Sequence, residues 1–65
     1  MNMQFFDYHH LPEGPLRHTS KQFHEFAHAF NDGFPDTEEK EMGLRKLLEA
    51  KDCAVRATLE REQQV

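Results

Sequence analysis

The string with the most chemistry in it is His24-Glu25-Phe26-Ala27-His28, which has the H-E-x-x-H spacing of zinc metalloproteases. On a helix, histidines at i and i+4 share a face, and the glutamate between them can activate a metal-bound water. Such an enzyme also needs a third ligand and a cleft between two lobes, and 65 residues are too few to build both. Without a metal, His24 and His28 border the Phe23/Phe26/Phe30 stripe on the side of Lys21, where they either donate hydrogen bonds to an anion or stand in water. Tyr8-His9-His10 joins a flat aromatic to two phosphate donors, and a base stacked on tyrosine gains about 1–3 kcal/mol. The plain alternative is a tyrosine anchored on the rest of the chain with both histidines exposed. Lys51, set among Leu44, Leu47, Ala54 and Val55, either snorkels to an edge or lines a pocket between subunits. No Ser/His/Asp triad, glycine-rich phosphate loop or paired catalytic carboxylates accompany these groups. Catalysis is therefore not expected of these groups, and neither a cofactor nor a metal is expected.

The elements that must position these residues are helical. Residues 1 to 18 have neither a helical nor a strand period, and Pro12, Gly14 and Pro15 mark them as an arm with a turn. Phe5, Phe6, Tyr8 and Leu11 make that arm too apolar to leave in water, so it should pack on the helices or on a neighbouring subunit. Thr19 and Gln22 form a capping-box pattern, and Phe23, Phe26, Ala27 and Phe30 follow at i, i+3, i+4 and i+7. This predicts a first helix over 20 to 31, with its three phenylalanines as the main aromatic part of the core and Gly33 in the left-handed position after it. Asp36 with Glu39 marks the next start, and a long helix is predicted over 36 to 61, with the last residues, 62 to 65, fraying. A loop of about five residues between the helices favours an antiparallel hairpin.

The long helix has three faces. Gly43, Leu47, Ala50, Ala54 and Ala57 line a seam of mostly small residues at 4-3-4-3 spacing, suited to close approach of another helix and read here as an oligomer interface. Leu44, Leu48, Val55 and Leu59 form a bulkier edge beside it. The third face alternates in sign, and Glu41 with Arg45 and Asp52 with Arg56 are expected to pair, at about 0.3–0.5 kcal/mol each.

A chain this short buries too little surface to be comfortable alone and calls for a supplement to its core. Cys53 is the sole cysteine, which excludes an internal disulfide and suits a reducing compartment. Self-association through the seam is therefore expected ahead of a structural metal. No signal-like run and no stretch near the roughly 18 apolar residues of a bilayer span is present, so a soluble cytosolic protein with no membrane partner is expected. The net charge of -4 disfavours a DNA or RNA polymer as partner. That charge is uneven: residues 1 to 30 hold all five histidines, Arg17 and Lys21 against three acids, while residues 31 to 65 hold nine acids against six bases. An anionic partner should meet the N-terminal half, as a compact ligand with a few phosphates.

The order of pieces resembles a family. Phe6-Asp7-Tyr8-His9 is followed by Glu25-Phe26-Ala27, then by Pro35-Asp36-Thr37 with Glu39-Lys40, then by Leu44-Arg45-Lys46-Leu47-Leu48-Glu49-Ala50 running on to Ala54 and Ala57. From Phe5 to Ala57 the chain is similar to the small bacteriophage anti-CBASS proteins that act as sponges for cyclic oligonucleotides. The resemblance implies an all-α fold assembled as a homohexamer in the host bacterial cytoplasm. It also implies non-enzymatic capture of a cyclic dinucleotide such as cyclic GMP-AMP, in some members also of cyclic trinucleotides, antagonising the host's antiphage signalling. The arm tyrosine that stacks on the bases would be Tyr8. The cationic side chain of the following helix would fall on His24, with Lys21 one turn earlier as a substitute and a pH-dependent affinity as the result. His9, His10 and His28 complete the expected ligand-binding set. Tryptophan, asparagine and arginine late in the second helix of many relatives are Cys53, Val55 and Glu60 here, which leaves a second, trinucleotide pocket without its usual residues. The competing expectation is a small helical interaction protein that occupies a host protein with its arm and seam.

Overall fold

The first helix begins at a proline whose backbone is already restricted, and the second behind a threonine whose hydroxyl caps it. In the computed structural model, which describes residues 1–63, α1 spans Pro15–Gly33 and α2 spans Glu38–Gln63, preceded by a short 3-10 turn at Met3–Phe6. The described residues are otherwise loop and turn, with no strand, so the chain is an all-helical hairpin with an N-terminal arm. The fraying expected of the last residues lies partly outside the described ones: Glu62 and Gln63 continue α2, and Gln64 and Val65 are not described.

α1 starts at Pro15 and not at residue 20. Pro15 has its φ already set for a first turn and lacks only an N–H that would have no partner there. Gly14 precedes it at φ 145°, a conformation that a side chain would strain. Thr19, expected as the cap, therefore lies inside the helix. Its hydroxyl donates instead to the Thr58 hydroxyl at 2.8 Å, while Thr58 donates to the Ala54 carbonyl at 2.8 Å. Gly33 is also a correction: it stays in the helix, and Phe34 ends it in an extended conformation (φ -127°, ψ 150°), as expected of a residue before proline.

α2 starts at Glu38, two positions later than expected. Thr37, not Asp36, caps it, its hydroxyl accepting from the Lys40 N–H at 3.2 Å. Asp36 instead meets the Lys40 ammonium, which also donates to the carbonyls of Asn31 at 3.0 Å and Phe34 at 3.3 Å. One lysine on α2 thus satisfies carbonyls left open at the end of α1 and closes the loop.

Thr19 against Thr58 at one end and Phe30 against Gly43 at the other make the helices antiparallel. The fully buried apolar side chains are Phe6, Ala27 and Leu44, with Met3, Phe23, Phe30, Leu47 and Leu48 packed around them. The innermost aromatic ring thus belongs to the arm. Phe26, expected in the core, is 60% exposed, because the face of α1 centred on Ala27 is the one that meets α2 and the arm. Gly43 works within the chain: a Cβ there would lie 2.7 Å from Phe30 Cζ. Gly43 and Leu47 thus pack in the hairpin itself, whereas Ala50 and Ala57 remain exposed and Ala54 is half-buried.

The two ion pairs expected on α2 do not form. Glu41 turns to the Met1 ammonium instead of Arg45, and Arg56 points a guanidinium nitrogen at Cys53 Sγ, 3.4 Å away, instead of Asp52. Solvent-exposed pairs gain too little to hold long side chains in one geometry. No described helix is long and apolar enough to cross a membrane.

Candidate functional site

The arm is pinned by two consecutive carbonyls, one to each helix. Lys51 Nζ on α2 donates to the Phe5 carbonyl at 2.6 Å, and His24 Nδ1 on α1 donates to the Phe6 carbonyl at 3.2 Å. With Phe6 buried between the helices, the next residues must run over α1. Asp7 shapes that path: its Oδ1 accepts from the backbone N–H of Tyr8 at 2.8 Å and of His9 at 3.2 Å, and from His9 Nδ1 at 2.6 Å.

These bonds bring together four of the six residues expected to bind ligand. The Tyr8 and His9 rings stack with centroids 4.1 Å apart, and His24 meets Tyr8 edge-on at 5.0 Å and His9 at 5.7 Å. His28 continues the group, 4.3 Å from His24. Because His24 Nδ1 is committed to the Phe6 carbonyl, its Nε2 is the atom left for a ligand. Lys21 borders the group together with Arg17, whose guanidinium carbon sits 5.4 Å from the Tyr8 centroid. A hollow of about 220 Å³ opens between Tyr8, Gly14, Arg17, His18 and Lys21. Its cations are loosely held: Arg17 is 3.4 Å from Glu13, and Lys21 is 4.0 Å from Glu25. Both are long, exposed contacts that an anion can replace.

His10 is not part of this cluster. It lines a separate hollow with Lys51 and Arg56, which shares no residue with the first. Lys51 therefore reaches the arm of its own chain, and burial draws its pKa below the usual value while Asp52 and Asp7 pull the other way. Arg17 and His18 are the residues that sequence reasoning missed, since both were read as arm.

The hydrogen bonds from the His9 side chain and backbone hold the Asp7 carboxyl at a pKa of about 2, down from 3.8. A carboxylate with a depressed pKa stabilises the fold above its unfolded value and loses that contribution as pH falls. The arm path past Phe6 should therefore loosen between pH 3.8 and about 2. Tyr8 is the only tyrosine and there is no tryptophan, so intrinsic tyrosine emission reports this region alone. A transition in that window is expected in the native chain and should be missing from Asp7→Asn; identical titrations would contradict this role of Asp7.

Among the described residues, no group of three or more His, Cys, Asp or Glu side chains is arranged to hold a metal ion. The H-E-x-x-H string is present on α1, but Glu25 is exposed and turned toward Lys21. Comparison with family models, curated proteins and solved structures returns no match to this chain.

Proposed function

We propose that the protein captures a cyclic dinucleotide without chemistry, as a nucleotide sponge, and so protects a bacteriophage from nucleotide-triggered immunity in the host bacterial cytoplasm. The observation that carries this reading is the π-and-cation cluster at the arm: Tyr8, His9, His24 and His28 in ring contact, bordered by Arg17 and Lys21. A cyclic dinucleotide offers two flat bases and two phosphates, and this cluster offers stacking surface beside donors for both. His9, with an exposed side chain, covers one face of Tyr8 and is the ring that an incoming base would displace.

The proposal includes self-association. A hollow of about 220 Å³ is smaller than the roughly 300–1,000 Å³ of ordinary ligand pockets, so one chain supplies part of an enclosure and a second copy the rest. The chain's accessible surface is 4883 Å², against roughly 4300 Å² expected for a folded monomer of 7.7 kDa. Part of the excess is apolar, including Phe26, Phe34, Met42 and Leu59. Since Gly43 and Leu47 serve the hairpin, the part of the small-residue seam open to a neighbour is Ala50 and Ala57, with Ala54 between them. The double variant Ala50→Glu/Ala57→Glu should keep its helix content and sediment as a monomer; an unchanged mass would remove this seam from the interface.

Calorimetry of the purified protein against a panel of cyclic dinucleotides and trinucleotides tests the function. Saturable binding of at least one cyclic dinucleotide, with the nucleotide recovered intact, is expected. If none binds and a single host protein copurifies stoichiometrically, the exposed phenylalanines belong to a protein-occupying surface and the sponge reading is wrong.

A further inference from the structure

The second hollow, where the arm, α1 and α2 meet, has its own chemistry. It encloses about 270 Å³, and Leu11, Leu16 and Val55 supply an apolar wall from three different elements. Lys51, Arg56 and His10 stand around it. Neither Lys51 nor Arg56 has a carboxylate within ion-pair distance among the described residues. Lys51 is half-buried with a backbone carbonyl as its hydrogen-bond partner, and Arg56 is exposed with only the Cys53 sulfur as partner. Burial of the Lys51 ammonium outweighs the pull of Asp52 and Asp7, and an anion beside it would offset that cost.

Two acids also line the hollow, and their positions define what fits. Asp7 accepts three hydrogen bonds from Tyr8 and His9, all on Oδ1. Asp52 is exposed and water-screened. Cations beside an apolar wall suit a ligand with one anionic head and a compact apolar body, and the volume by itself admits a single ring.

We propose that this junction is a second ligand site, distinct from the Tyr8 cluster, which binds a small organic anion through Lys51 and Arg56 with its apolar part against Leu11, Leu16 and Val55. The head is a phosphate or a carboxylate, the shared chemistry being a planar or tetrahedral oxyanion that Arg56 can grip with two N–H groups. Occupancy competes for the Lys51 ammonium that holds the Phe5 carbonyl, so the ligand bears on the arm at the residue before Phe6.

The test is a chemical-shift titration of the full chain with phenyl phosphate, benzoate and the neutral benzyl alcohol. Saturable shifts at His10, Leu16 and Val55 with one or both anions, at concentrations up to about 10 mM, are expected, and none with the alcohol. The two anionic arms decide which head is preferred. Arg56→Gln, which removes no contact to the arm, should weaken binding about tenfold, and Lys51→Met should weaken it further. Absence of saturable shifts, equal binding of benzyl alcohol, or unchanged affinity in Arg56→Gln overturns the proposal. Because the hollows share no residue, binding of these probes is read at His10, Leu16 and Val55 and can fail or succeed whether or not the Tyr8 cluster takes a cyclic dinucleotide.

Discussion

Phe6→Ala is expected to cost about 3–5 kcal/mol, the usual loss for emptying a fully buried phenylalanine site. A 65-residue domain has roughly 3–10 kcal/mol in total, so the change consumes most of it. Phe6 has no exposed surface and shares the core with Ala27 and Leu44, one residue from each helix. Neither is large enough to fill the space that the ring leaves, and Phe30 is already seated over Gly43. Thermal unfolding should fall by at least about 12 °C. The loss should also reach the cluster, because His24 is bonded to the Phe6 carbonyl and the Tyr8–His9 stack is aimed by the residue before it. Phe6→Leu, which retains most of the volume, should recover the larger part. A drop of less than about 5 °C in Phe6→Ala would mean that the arm is an appendage and the hairpin stands without it.

The second large effect is on binding. Tyr8→Ala should remove cyclic dinucleotide binding from calorimetric detection while leaving helix content and mass unchanged. Each stacked base contributes about 1–3 kcal/mol, or roughly 5- to 150-fold in affinity, and a ligand with two bases held between two copies loses this twice. The fold should tolerate the change. Tyr8 is half-buried, lies outside the Phe6/Ala27/Leu44 core, and its backbone N–H keeps Asp7 as acceptor whatever the side chain. Tyr8→Phe should retain binding, since it keeps the ring that stacks and loses only the hydroxyl. Tight binding by Tyr8→Ala would move the ligand away from the arm and leave the cluster as a structural clasp.

The hairpin was legible in the sequence because its pattern is local: the i, i+3, i+4, i+7 run of α1 and the long alternation of α2 each appear within one helix. The ends were misplaced because two start signals competed at each. Pro15 after Gly14 outranks Thr19, since a restricted φ acts on the backbone directly whereas a capping hydroxyl must first be left free, and Thr58 takes that of Thr19. Starting α1 at Pro15 would also have placed Arg17 on the helix beside Lys21. Arg17, Lys21, His24 and His28 follow at 4-3-4 spacing, one face of the helix, and it is this face that the Tyr8 segment crosses. The packing of Phe6 and the reach of Lys51 to Phe5 were not legible. They join residues 46 positions apart in the Lys51 case, and no local period encodes a contact of that span.

The two anchors of the arm also set an order of events. Phe6 finds its full burial only against both Ala27 and Leu44, and the carbonyls beside it are taken by His24 from one helix and Lys51 from the other. Neither helix alone offers a complete seat. The arm is consequently among the last parts of the chain to settle, waiting until position 51 has been made and the hairpin has closed. The tyrosine and histidine cluster is assembled by that final docking step, so the half-made chain does not carry it.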